Sequence, residues 1–235
     1  LIHPRRGPKQ WRWIRRVYRR WGRGMARILG IETAVEGLPP QSPFLLVSNH
    51  QSYVDIFVLA GEADCTFVAK ADILDWPFFG RICQSVDTVF IDRGRRRDVV
   101  RAGEHMSQVL QEGRGVTLFA EGTTSAGDSI LPLKTSLLAG AASGELPVHF
   151  ATVAYRTGNG AAPAQETVSW VGDARLGPHL WRLVQLDKIY ATVVFGENPI
   201  QDNDRKRLAH RLRNSMLARY IPERVAEETC TPREP

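Results

Sequence analysis

The apolar positions change their period along the chain. Trp11, Ile14, Tyr18, Trp21, Met25 and Ile28 recur at alternating steps of three and four, the spacing of one helix face. From Pro43 onward, short apolar runs at 44–48, 65–69, 88–91, 116–120, 148–155, 167–171 and 189–195 predict strands. Stretches of helical spacing fit between most of them. The clearest is 98–112, where Val99, Ala102, Met106, Val109 and Leu110 face one way, with Asp98 to cap the start and Gly113 the end. Residues 158–164 read as a loop and 204–220 as a basic closing helix. No internal repeat interrupts this order. Alternating strands and helices predict an α/β fold: a single domain with a central, mostly buried sheet flanked by helices. A basic amphipathic helix precedes it. The expected divisions are a segment at 1–30, a domain at 31–221 and a loose tail at 222–235.

Composition adds a packed core and an anionic partner. Of 235 residues, 43% are hydrophobic and 24% charged, which excludes a chain too polar to fold. The net charge of +6 fits nucleic acid, an acidic membrane surface or acidic substrates. Its distribution narrows the choice, because Arg12, Arg15, Arg16, Arg19, Arg20, Arg23 and Arg27 share the first helix with the aromatic stripe. That pairing suits an anionic membrane surface, where lipid phosphates meet cations. It also suits a helix packed on its own domain, while a nucleic-acid partner is not expected. The cysteines Cys65, Cys83 and Cys230 form no CxxC pair, which predicts neither a disulfide framework nor a zinc site. No apolar run approaches the roughly 20 residues of a spanning helix. The chain begins at Leu1 rather than a methionine, so that absence applies to these residues only.

Three stretches carry candidate chemistry, each where an apolar run stops. The first is Ser48-Asn49-His50-Gln51-Ser52-Tyr53-Val54-Asp55. Positions five apart on a continuous helix lie about 140° from each other, so His50 and Asp55 meet only if His50 precedes the helix and Asp55 lies in its first turn. Ser52-x-x-Asp55 resembles a capping box and supports that break. It equally supports a plain reading, in which Asp55 only caps a helix. The second is Phe90-Ile91-Asp92-Arg93, followed by Arg95, Arg96 and Arg97; the arginine fork can grip phosphate, or the run can be a solvated loop. The third is Phe119-Ala120-Glu121-Gly122-Thr123-Thr124-Ser125, a tight turn with backbone N–H groups to offer. Leu146-Pro147-Val148 opens a later strand.

Taken in order, these stretches resemble the lysophospholipid acyltransferase family, best known through the 1-acyl-glycerol-3-phosphate acyltransferases. The family's NHxxxxD box matches Asn49, His50 and Asp55. Its second box matches Phe90 to Arg93, preceded by Lys70 and Trp76-Pro77-Phe78-Phe79-Gly80. The FPEGTRS box matches Phe119, Glu121, Gly122, Thr123 and Ser125, and the fourth box is a looser match at Leu146-Pro147-Val148. The resemblance covers roughly residues 43–199.

It implies acyl transfer from a thioester, on coenzyme A or acyl carrier protein, to a free hydroxyl of a lysolipid acceptor, either 1-acyl-glycerol-3-phosphate, whose phosphate Arg93 and its neighbours could bind, or lyso-ornithine lipid. The expected site has His50 as general base and Asp55 as the acid that orients it. Asn49, Lys70, Arg93, Glu121, Gly122, Thr123 and Thr124 are its expected substrate-binding residues. Backbone N–H groups near the helix start after His50, or near Gly122, are expected to hold the oxyanion. No cofactor beyond the acyl carrier and no metal is expected. The expected location is the cytoplasmic face of the cell membrane, as a peripheral or monotopic protein. Ala120 stands where the family has proline, and Thr124 where it has the arginine associated with acceptor phosphate. EGTT is similar to the boxes of lyso-ornithine lipid acyltransferases. A thioester hydrolase could use the same dyad, although GxSxG is absent. A non-enzymatic basic membrane-binding protein would leave the boxes unexplained.

Overall fold

The apolar runs at 44–48 and 116–120 become neighbouring strands at the centre of the sheet, buried along their whole length. They are β2 (Phe44–Ser48) and β5 (Gly115–Phe119). The computed structural model describes residues 7–75, 79–92 and 96–222. Around the central pair lie β1 (Ile31–Glu36), β3 (Cys65–Lys70), β4 (Val89–Ile91), β6 (Val148–Thr157) and β7 (Ile189–Phe195), in the sheet order β1-β7-β6-β2-β5-β3-β4. Only β6 and β7 pair antiparallel; the other neighbours are parallel. Strands β6, β2, β5, β3 and β4 therefore run one way, and their C-terminal ends share one edge. Ser48 lies opposite Phe119 in the register, so the loops carrying the first and third boxes leave the sheet side by side. That edge is where α/β sheets place their ligands.

Helices cover both faces. On one lie α1 (Pro8–Ile28), α2 (Val54–Glu62), α6 (Ala164–Thr167) and α7 (Leu176–Leu183). On the other lie α4 (Arg96–Gln111), α5 (Ala139–Ser143) and α8 (Arg205–Leu217). The short α3 (Phe79–Ser85) links β3 to β4. Helix α4 starts two residues before Asp98, which lies in its first turn, and Gly113 closes it at φ +75° as expected.

Three findings bear on the expectations. First, of the two placements expected for the N-terminal helix, its described apolar stripe shows packing on the domain. Ala26 and Leu29 of α1 are buried in the core that holds α2 and the sheet. Tyr18 and Trp21 stack at 5.1 Å, and Trp21 meets Phe57 edge-on at 5.2 Å. The Arg114 guanidinium lies 3.7 Å from the Trp11 ring, and Arg19 Nε donates to the Gly61 carbonyl at 3.0 Å. The apolar stripe thus faces inward, apart from Ile28, which is 76% exposed. Second, residues 167–171 form no strand: the Thr167, Val168 and Ser169 N–H groups bond back to the Pro163 and Ala164 carbonyls around α6, and the Trp170 N–H bonds to the Gln51 carbonyl after β2. Third, β1 escaped the sequence reading: it is an edge strand with only Ile31 buried, so burial leaves no period in it. The 222–235 tail lies, from residue 223 on, outside the described residues, as does Cys230.

Gly22 permits the closest contact between α1 and α2, since a Cβ there would come within 2.8 Å of both Gly61 N and Phe57 O. Gly24, two residues on, has nothing within 4 Å. Gly22→Leu is expected to destabilise the protein by about 1–3 kcal/mol or more through overpacking. Gly24→Ala is expected to stabilise by about 0.5–1 kcal/mol through helix propensity. Urea titration of both variants checks this, and equal stabilities would contradict the packing described.

Candidate active site

The turn after β2 is held before any catalytic side chain is placed. The Asn49 side chain donates from Nδ2 to the Val153 carbonyl and accepts from the Val153 N–H, both at 2.8 Å, which ties the turn to β6. Gln51 Nε2 donates to the same carbonyl at 2.7 Å and to the Tyr220 hydroxyl at 3.1 Å. The His50 carbonyl accepts from the Ser125 N–H at 2.8 Å and its hydroxyl at 3.2 Å. The His50 N–H donates to Glu121 Oε1 at 3.2 Å. The Gln51 carbonyl accepts from the Trp170 N–H at 2.8 Å. Backbone groups that would otherwise be unsatisfied in a buried loop are thus bonded on both sides.

Within this frame Asp55 lies in the first turn of α2, fully buried, and four donors converge on it. Oδ2 accepts from His50 Nδ1 at 2.7 Å, the Gln51 N–H at 2.7 Å and the Ser52 N–H at 3.1 Å. Oδ1 accepts from the Tyr155 hydroxyl at 2.7 Å. Both readings of Asp55 therefore hold: it reaches back to the Ser52 N–H as a capping carboxylate does, and it orients His50. The reciprocal half of the capping box is missing, since Ser52 Oγ has no partner among the described residues. The Asp55 bond places the histidine proton on Nδ1 and leaves Nε2 to accept one. The imidazole stacks on Phe119 at 4.0 Å with planes 13° apart, which fixes the ring plane, and its side chain remains 19% exposed.

The other expected residues fall into different places. Glu121 is buried beneath the His50 turn, and its Oε2 has no hydrogen-bond partner among the described residues. Burial pushes its carboxyl up to about 8, against the opposing pull of the His50 and Leu131 N–H groups. Gly122 takes φ +79°, which lets the chain turn back from β5. Thr123 is exposed. The Thr124 hydroxyl donates to the Trp170 carbonyl. Lys70, at the end of β3 on the same sheet edge, is 64% exposed and paired with Asp72. Arg93 lies outside the described residues, as do Arg95 and Trp76-Pro77-Phe78.

Two site expectations change. Asn49, expected on substrate, is only 2% exposed with both amide atoms bonded to Val153, so it positions the turn. Of the N–H groups in the stretches expected to hold an oxyanion, those of Gln51 and Ser52 are already donated to Asp55, and that of Gly122 bonds Phe119 O at 3.2 Å. Tyr155, Phe119 and Trp170 were not singled out in the sequence for these roles. Tyr155 is 100 positions from Asp55, and only the pairing of β6 with β2 brings them together.

A histidine held as a base by a buried acid, with no nucleophilic side chain bonded to it, is suited to activating a hydroxyl brought in by a second substrate. The chain belongs to the Acyltransferase family, whose match covers residues 31–156, and it is an acyltransferase. It is 36% identical to the lyso-ornithine lipid O-acyltransferase of Brucella abortus, over 90% of this chain and 87% of that protein. It is 32% identical to the 1-acyl-sn-glycerol-3-phosphate acyltransferase of Neisseria meningitidis, over 84% of this chain and 78% of that one. In fold it is similar to the crystal structure of the 1-acyl-sn-glycerophosphate acyltransferase PlsC from Thermotoga maritima. That likeness has a TM-score of 0.66 at 19% identity and covers 98% of this chain and 86% of that one.

Glu121 generates a stability prediction. The folded protein holds its proton up to about pH 8, whereas an ordinary glutamate releases it near 4.5. Its contribution is therefore complete below about pH 4.5 and is lost as pH rises through 8. Glu121→Gln, which cannot ionise, is expected to flatten the stability profile between these values, measured by urea midpoints at successive pH. A slope equal to the wild type would contradict the burial described.

Proposed function

We propose that the protein transfers a fatty acyl group from an acyl thioester to the free hydroxyl of a lyso-ornithine lipid in membrane lipid synthesis. The observation that carries the acceptor is Thr124. Where the resemblance leads one to expect a phosphate-binding arginine, a neutral hydroxyl is turned onto the Trp170 carbonyl. This position offers a phosphate monoester neither charge nor a bidentate fork. The name of the Brucella abortus relative supports this reading, and that of the Neisseria meningitidis relative supplies the competing acceptor.

In the proposed reaction His50 Nε2 removes the acceptor's hydroxyl proton as the oxygen attacks the thioester carbonyl. The tetrahedral intermediate collapses with loss of the thiolate of coenzyme A or acyl carrier protein, and His50 returns the proton to that sulfur. Asp55 stabilises the transient imidazolium. No acyl-enzyme forms, because the acceptor supplies the nucleophile. Glu121 and Gly122 shape the acceptor side of the turn, with Arg93 and Lys70 as further anionic-group contacts.

The enzyme works at the cytoplasmic surface of the cell membrane. Among the described residues no helix is long and apolar enough to cross a bilayer. The solvent face of α1 carries Arg12, Arg16, Arg20 and Arg27 with Trp13 and Val17, a set suited to anionic lipid.

His50→Ala is expected to lower transfer by about 10²–10⁴-fold and Asp55→Asn to be severe, with unchanged circular dichroism. Near-normal turnover by folded His50→Ala would sink the mechanism. Free thiol should appear only with a lysolipid present; release without acceptor would mean hydrolysis. In competition at equal concentration, lyso-ornithine lipid should be acylated ahead of lysophosphatidic acid, read by product mass. The reverse order would refute the acceptor while leaving the dyad in place.

A further inference from the structure

Helix α7 has a buried side and an apolar solvent side. His179 and Leu183 face inward, 2% and 0% exposed. Leu180 and Trp181 lie on its outer side, and Val184, just past its last residue, follows them by four and three positions and so continues that face; they are 39%, 66% and 48% exposed. Arg175 and Arg182 flank them, and neither forms an ion pair among the described residues. Asp173 and Asp187 lie near the two ends of the helix. A tryptophan and two aliphatic side chains in water have no folding rationale, since the core contact of α7 is made by its other side.

The position of α7 suggests what covers this face. Helices α7 and α1 lie over the same side of the sheet: Leu183 shares a core with Ala26 and Leu29, and Gly30 approaches the Leu186 and Asp187 carbonyls. Among the described residues the two exposed tryptophans, Trp13 and Trp181, belong to these two helices. The opposite layer, α4, α5 and α8, exposes Val100 as its one large apolar side chain among the described residues. Among these helices, exposed apolar side chains therefore concentrate on the side of α1 and α7, beside Arg175 and Arg182.

The inner side of α7 leads to the active-site turn. The Tyr53 hydroxyl donates to His179 Nδ1 at 3.1 Å, and His179 Nε2 faces the Ser169 carbonyl at 3.2 Å. Burial lowers the pKa of His179, in keeping with a neutral ring that accepts at Nδ1 and donates at Nε2. Tyr53 packs edge-on against Trp170 at 5.5 Å, and Trp170 holds both the Gln51 carbonyl and the Thr124 hydroxyl.

We propose that the outer face of α7 is a second bilayer contact, in which Leu180, Trp181 and Val184 enter the interface of an anionic phospholipid membrane and Arg175 and Arg182 meet its phosphates. With the arginine face of α1 it holds the enzyme on the surface that carries the acceptor. Tryptophan is suited to this depth because its ring is apolar and its indole N–H can remain wet. The inference rests on the proposed lipid acceptor for its purpose, but not for its physical test.

The test is sedimentation of the full chain with phosphatidylglycerol-containing vesicles, at low and physiological salt. Turnover is followed in parallel on vesicle-embedded and detergent-dispersed lysolipid. The double variant Trp181→Glu, Val184→Glu is expected to lose roughly tenfold or more in vesicle partitioning, because each side chain surrenders its apolar transfer and adds a charge that anionic lipid repels. Trp181→Phe should retain most of the binding. Turnover should fall on vesicles and persist in detergent. Wild-type partitioning by the double variant would overturn the proposal, and so would equal loss of turnover in vesicles and detergent, which would place the patch in the fold. Vesicle binding that depends on α7 in a protein that acylates no lysolipid would uphold the contact and remove the proposed reaction instead.

Discussion

A carboxylate taken out of water is tolerated only when its lone pairs are bonded, because desolvation costs several kcal/mol that a single partner does not return. Asp55 meets this condition with His50 Nδ1, two backbone N–H groups and the Tyr155 hydroxyl. Much of the architecture can be understood as what brings those four donors together. Strand β2 must end at Ser48, the chain must turn before α2 begins, and β6 must lie beside β2 to deliver Tyr155. An alternative arrangement of any of these elements would leave a buried charge short of partners.

This requirement explains why the three motifs are neighbours in space. The register that sets Ser48 opposite Phe119 brings Glu121 and Ser125 against the backbone of His50 and the Phe119 ring against its imidazole. The third motif is thus in large part a brace for the first, and its glycine supplies the left-handed turn that brings the brace back. Thr124 extends it outward to Trp170, which also bonds Gln51. The residue that departs from the expected phosphate ligand joins the wall beside the site to its catalytic turn.

The same covering layer of helices answers two needs. Helix α1 buries its aromatic stripe on α2 and the sheet, with Gly22 allowing the approach, and keeps its arginines outside. Helix α7 buries His179 and Leu183 while leaving a tryptophan in water. Long cationic side chains can serve both demands, since their stems pack along apolar surface while their heads stay solvated.

The order of strands and helices, the dyad and the family resemblance were legible in the sequence, because burial on both faces of a strand leaves continuous apolar runs and because catalytic turns fall where those runs stop. The amphipathic stripe of α1 was legible too, but not what it touches: periodicity reports that a face is apolar, and a helix packed on α2 has the same period as one lying on lipid. Edge strand β1 was hidden since exposure erases the period. The false strand at 167–171 has the right residues, yet its first three N–H groups close the turn of α6 and Trp170 bonds to Gln51 and Thr124, distant in sequence. That Tyr155 reaches Asp55, that Asn49 is spent on Val153, and that Thr124 faces Trp170 depend on contacts between residues 100, 104 and 46 positions apart. Such contacts follow from strand register and helix packing, so only the tertiary structure decided them.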